Sequence, residues 1–184
     1  MSESLLVDHA SPTLAGLKTG TLFVCPTEDI RILRESLRQL NRQLVPRGVR
    51  ILPVRCPNGR TLIYLYRPAR LRQDLSDGTA KEILASRGYP TGDSDRCVAE
   101  LLRRMQSNAA FPHEVGLFLG YPSEDVSGFI AHGAKNAKCV GTWKVYGDEV
   151  AAQKKFALYR KCTRVYREAY GRHRSLSRLT VHAV

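Results

Sequence analysis

Long apolar runs, paired cysteines and closely spaced metal ligands are all missing from this 184-residue chain. The apolar stretch at 115–119 is far short of the roughly 20 residues a membrane-spanning helix needs, so no membrane partner is expected. The opening MSESLLVDHASPT has no basic segment ahead of an apolar one, does not read as a secretory leader, and makes the cytoplasm the expected location. The five cysteines, at 25, 56, 97, 139 and 162, include no CxxC pair, which fits neither a disulfide framework nor a sequence-local zinc site. Free thiols and no bound metal are expected. Catalytic and cofactor motifs are lacking too, so reaction and cofactor stay unassigned.

Acidic residues are scarce: 17 Asp and Glu stand against 29 Lys and Arg, a formal charge of +12. Twenty-one of those 29 are arginine, the better side chain for bidentate contact with phosphate or carboxylate. Such an excess speaks to association with anions, not to a fold.

Length and an alternation of strand-like and helix-like segments indicate one α/β domain at 1–172. A mixed sheet of about five strands, helices on both faces and a long C-terminal helix are expected, with 173–184 as a basic, mobile tail. A first strand is read at 21–25. Thr27 then caps a helix running to about Leu44, with Ile30, Leu33, Leu37, Leu40 and Leu44 on its core face. Strands at 49–55 and 60–67 form a hairpin through Asn58-Gly59, and Pro53 places the first of them at an edge or a bulge. Short helical pieces follow to Gly88. A further helix, capped by Asp93 or Ser94, buries Val98, Leu101, Leu102 and Met105 and turns Arg103 and Arg104 outward. A last strand is read at 139–146, before a helix capped by Asp148 with Ala152, Phe156, Tyr159, Tyr166 and Tyr170 inside.

The stretch HEVGLFLGYPSEDVSGFI at 113–130 reads as a central buried strand entering a helix through a Gly-Tyr-Pro elbow. Open α/β sheets bind ligands at such strand ends. Glu124 and Asp125 already occupy the first helical turn, however, and argue against a phosphate there. Gly-Tyr-Pro also occurs at 88–90; the first copy reads as ending a helix and the second as beginning one, so their likeness is set aside.

The segment PHEVGLFLGYPSEDVSGFI at 112–130, GTWKVYGD at 141–148 and the helix bearing Phe156, Tyr159 and Cys162 resemble the bacterial family of domain of unknown function 3793. LAGLK at 14–18, LIYLYRPARL at 62–71 and RGYP at 87–90 are similar to earlier blocks of the same family. The resemblance implies one unit over most of the chain and no particular chemistry.

Three functional readings remain. The leading one is a small-ligand or anionic-cofactor binding protein, with room for an enzymatic role, whose cleft gathers His113, Tyr121, Lys144 and Tyr146. Glu114, one residue from His113, points to the opposite face of a strand and is read as the partner of an arginine. The second is a non-specific nucleic-acid or acidic-partner module. It would use the helical stripe Arg31, Arg34, Arg38 and Arg42 together with Lys154, Lys155, Arg160, Lys161 and Arg164. The third is a structural adaptor or homo-oligomer with no small-molecule site.

Overall fold

The computed structural model describes residues 1–55, 59–107 and 111–182. They fall into two compact units, one of 1–69 with 161–184 and the other of 70–160.

The first unit is built on the leucine face read from the sequence. Helix α1 (Glu3–Leu14) and strand β1 (Gly20–Pro26) lead into helix α2 (Ile30–Leu44), whose Leu33, Leu37, Leu40 and Leu44 are all buried. Its cap is Asp29, not the expected Thr27: a carboxylate oxygen of Asp29 accepts from the Arg31 N–H at 2.7 Å. Thr27 is instead buried, its hydroxyl donating to Thr61 at 2.8 Å.

Strands β2 (Arg50–Arg55) and β3 (Arg60–Tyr66) complete an antiparallel sheet in the order β1-β3-β2. The hairpin between them is as expected, although Asn58 of its turn lies outside the described residues. β2 is the edge strand with a register shift at Pro53, because proline has no N–H to give the ladder. On the open side of that edge the Asn41 amide donates to the Ile51 carbonyl at 2.8 Å and accepts from its N–H at 3.0 Å, standing in for a fourth strand. Phe23, Cys25, Ile51, Ile63 and Leu65 face α1 and α2 in a single core.

Residues 174–182, within the 173–184 expected as a mobile tail, dock on this unit. Leu176 in the short helix α9 (Leu176–Leu179) is fully buried, and Val181 N–H donates to the Leu14 carbonyl at 3.0 Å. Arg67, itself buried, donates to the carbonyls of Thr13, Leu14 and Val181 at 2.6, 2.6 and 2.8 Å. A guanidinium on the last carbonyls of α1 also suits the negative end of that helix. Local charge pointed to a solvated tail; the apolar Leu176 and Leu179 set its conformation instead.

The second unit is mostly helical: α3 (Pro68–Asp74), α4 (Gly78–Ser86), α5 (Ser94–Gln106), α6 (Val115–Phe118) and α7 (Ser123–His132). Strands β4 (Cys139–Val140) and β5 (Lys144–Val145) form a small hairpin, and the 25-residue α8 (Glu149–His173) begins here with Asp148 at its cap. α8 is the long C-terminal helix expected from the sequence.

The expected mixed five-stranded sheet is not what forms. Its intended centre, 115–119, makes a single helical turn, in which Leu119 N–H reaches the Val115 carbonyl at 3.2 Å. A short apolar run carries no periodicity that separates strand from buried helix. The last strand, read as continuous over 139–146, breaks at Gly141 into the two arms of the β4-β5 hairpin.

The elbow at Gly120 is a helix C-cap. Gly120 has φ +74°, its N–H donates to the Leu117 carbonyl at 3.1 Å, and Tyr121 N–H donates to the Gly116 carbonyl at 3.0 Å. This is the Schellman arrangement. The earlier Gly88-Tyr89 closes α4 in the same way, with bonds to the Ala85 and Leu84 carbonyls at 2.9 and 3.0 Å. The likeness of the two Gly-Tyr-Pro copies is therefore structural: both end a helix.

Candidate functional site

His113 and Glu114 precede α6 and take different surroundings. Glu114 is buried, accepting from the Tyr89 hydroxyl at 2.9 Å, with Arg87 and Arg104 at 3.3 and 3.6 Å. Arg104 lies 4.2 Å over the Tyr89 ring and also meets Glu100 at 2.6 Å, so it turns inward where the sequence reading had it outward. Burial, with the Glu114 carboxylate beside it, pushes the Tyr89 phenol far above its ordinary range. The carboxylate is ion-paired with two arginines, in line with the arginine-paired reading of Glu114, while its Oε2 makes no hydrogen bond among the described residues. His113 is exposed and makes a T-shaped contact with Phe129, ring centroids 5.0 Å apart.

Asp125 ties α7 to the β4-β5 hairpin. Its buried carboxylate accepts from Trp143 Nε1–H at 2.6 Å and from the backbone N–H groups of Tyr146 and Gly147 at 2.7 and 2.8 Å. The sequence reading gave Asp125 only a role in the helix dipole. Three converging donors make it the anchor that fixes the tryptophan.

Around that anchor opens a cavity of about 370 Å³, within the usual range for a small-molecule pocket. One wall is Trp143 with Tyr121 stacked on it, centroids 4.9 Å apart; Val115, Val126 and Phe129 supply further apolar surface. Phe111 and Val140 reach the cavity with exposed side chains. Polar groups are few: His113, Thr142, Lys144 and the occupied carboxylate of Asp125. Gly116 forms part of the lining, and a methyl there would come within 3.1 Å of the Tyr121 ring and 2.8 Å of Val126.

Of the four residues expected to share a cleft, His113, Tyr121 and Lys144 line this cavity, and Tyr146 is not among its lining residues. Lys144 Nζ donates to the Ala134 carbonyl at 2.8 Å. Tyr121 donates to the Thr142 carbonyl at 3.2 Å, and burial near Tyr159 holds its phenol up to about 12, so it remains a neutral donor. Tyr146 packs against Gly128 and stacks on His132 at 5.7 Å. Its hydroxyl is buried with no hydrogen-bond partner among the described residues.

Sequence reasoning missed the apolar walls, leaving Trp143, Phe129 and Val140 out of the expected cleft. The available signal was Gly141-Thr142 in the middle of an apparent strand, which marks a turn and brings Trp143 round to face α7.

The basic candidates are spread along α2 and α8. Arg31, Arg34, Arg38 and Arg42 are exposed on α2; Arg31 pairs with Asp29 at 3.5 Å and Arg38 with Glu35 at 3.3 Å. Lys154, Lys155, Arg160, Lys161 and Arg164 are exposed on α8. Among the described residues, no group of three His, Cys, Asp or Glu side chains is placed to hold a metal, and no helix is long and apolar enough to cross a membrane.

No curated protein and no solved structure matches the chain. Residues 6–180 match the family described as Protein of unknown function (DUF3793), and the chain belongs to that family.

Proposed function

We propose that the protein binds a small, largely apolar ligand in the cavity between α6, α7 and the β4-β5 hairpin. The observation that carries this reading is the Tyr121-Trp143 stack forming one wall of a 370 Å³ opening, with Lys144 and His113 as its cationic or hydrogen-bonding groups. Apolar walls with a few polar groups are the usual composition of a ligand pocket: burial supplies affinity and the polar groups fix orientation. The three N–H donors on Asp125 hold the tryptophan wall in place before any ligand arrives, which lowers the ordering cost of binding.

Trp143 is the chain's only tryptophan, so its indole N–H gives one identifiable signal in a ¹H–¹⁵N spectrum. Screening flat aromatic and heteroaromatic fragments against labelled protein is expected to yield ligands that move that signal and those of Gly116, Gly141 and Lys144. If every ligand that binds leaves these four signals in place, the proposal is wrong.

The exposed α2 stripe supports a second reading, since Arg34 and Arg42 have no acidic partner among the described residues. Non-specific nucleic-acid binding through that stripe would weaken steeply with added salt. Alanine at all four arginines should then remove it; binding unchanged in that variant would exclude the stripe.

A further inference from the structure

We infer that the cavity's ligand is a flat conjugated ring system carrying a single anionic group, its rings against the Tyr121-Trp143 wall and its charge at Lys144 and His113. This rests on the ligand-binding reading above and adds to it the charge and orientation of the ligand.

The aromatic lining alone leaves the sign of charge open, because Trp, Tyr and Phe faces also attract cations. Asp125 decides against a cation. Both of its oxygens are engaged, one by the Trp143 indole and the other by two backbone N–H groups, so the one carboxylate in the lining has its charge already met by three donors.

Lys144 is in the opposite condition. It spends one N–H on the Ala134 carbonyl, and an ammonium has three, so two remain for a ligand. The His113 ring has no hydrogen-bond partner among the described residues and lines the same cavity, in T-shaped contact with Phe129. The chain's charge of +12 further favours the approach of anions.

The number of charges is limited by the same inventory. One ammonium and one imidazole can meet a carboxylate or sulfonate, whereas a second charge would be carried into apolar walls with no partner. Flatness follows from the lining: the rings of Tyr121, Trp143 and Phe129 supply much of its apolar surface, and aromatic walls favour a conjugated ring packed against them.

The test uses two fluorescent probes with the same rings, 8-anilinonaphthalene-1-sulfonate and uncharged N-phenyl-1-naphthylamine, titrated against the full chain and read by quenching of Trp143. The sulfonate is expected to bind about tenfold or more tightly than the amine, the worth of one charge-assisted hydrogen bond. Lys144→Met, with folding checked by circular dichroism, should abolish that preference, the sulfonate then binding no more tightly than the amine; His113→Gln should reduce the preference in part.

Equal binding of both probes, or a preference that persists in Lys144→Met, would overturn the anion assignment while leaving the pocket itself standing. Failure of both probes to quench Trp143 would remove the ligand-binding reading and this inference together.

Discussion

Replacing Asp125 with asparagine changes one oxygen to an NH2 group and leaves the side-chain volume nearly the same. Three N–H groups converge on the carboxylate at 2.6 to 2.8 Å, and the residue is 3% exposed. In Asp125→Asn the remaining oxygen can still accept from Tyr146 and Gly147, but the new NH2 then faces the Trp143 indole N–H, donor against donor. One bond to a charged acceptor is lost, worth about 1.5–3 kcal/mol, and two others weaken to neutral strength. Relief from burying a charge offsets part of this. A net loss of about 3 kcal/mol is expected, which at a typical urea slope of about 2 kcal/mol per M moves the midpoint down by roughly 1.5 M. Trp143→Phe alone should cost less, because it leaves the carboxylate with two backbone donors. The double variant should then fall short of the sum of the singles by about 1–2 kcal/mol, the coupling expected of directly bonded partners. Urea titrations followed by far-UV circular dichroism measure all four chains without relying on the tryptophan. A loss below about 0.5 kcal/mol in Asp125→Asn, with strict additivity, would refute the anchor role.

Three more outcomes follow from particular contacts. Hydrogen bonds from Arg103, and then Arg104, hold the Glu100 carboxyl well below its ordinary range, down to about 2. Its folded-state value is depressed, so its contribution is present above the ordinary carboxylate range and is lost as pH falls toward 2. Glu100→Gln should therefore flatten the decline in urea midpoint between pH 5 and pH 2, modestly because the pair is partly solvated; an unchanged slope would contradict the pairing. Arg67→Ala removes the bonds to Thr13, Leu14 and Val181, and trypsin is expected to cleave it at Arg174 or Arg178 many times faster than the native chain. Equal cleavage rates, judged by mass spectrometry, would show that Arg67 does not latch the C-terminal segment. Gly116→Ala places a methyl 2.8 Å from Val126 and 3.1 Å from Tyr121, and should cost about 1–3 kcal/mol of stability and shift the Trp143 emission; unaltered emission would mean that Gly116 does not support the aromatic wall.

Much of the first unit was legible because its elements carry clear periodicity. The leucines of α2 repeat at helical spacing, and the strands around 58–59 alternate and are punctuated by Pro53 and Gly59, so their pairing followed from turn and edge rules. The second unit was less legible. Its hairpin strands are two residues each and its α6 is four residues long, too short for any period to show. Hydrogen bonds between sequence-distant groups settle such pieces: Glu114 is fixed by Arg87 and Tyr89, and Asp125 by residues about 20 positions later. Three of the four residues expected to share a cleft line one cavity, on a helix-hairpin frame in place of the expected strand end.

The two Gly-Tyr-Pro copies explain why a cavity opens at one of them. In a Schellman cap the residue after the glycine lies over the position five residues before it, counting from its own N–H bond. At the first copy that position is Leu84, fully buried, and Tyr89 is drawn instead to Glu114 through its hydroxyl. At the second copy it is Gly116, which has no side chain, so the Tyr121 ring can lie close to the backbone and stack on Trp143. The cap fixes where the tyrosine emerges; the residue beneath it determines whether the ring meets a filled core or borders open space. Gly116 leaves room for a close neighbour, and the helix cap identifies that neighbour as Tyr121.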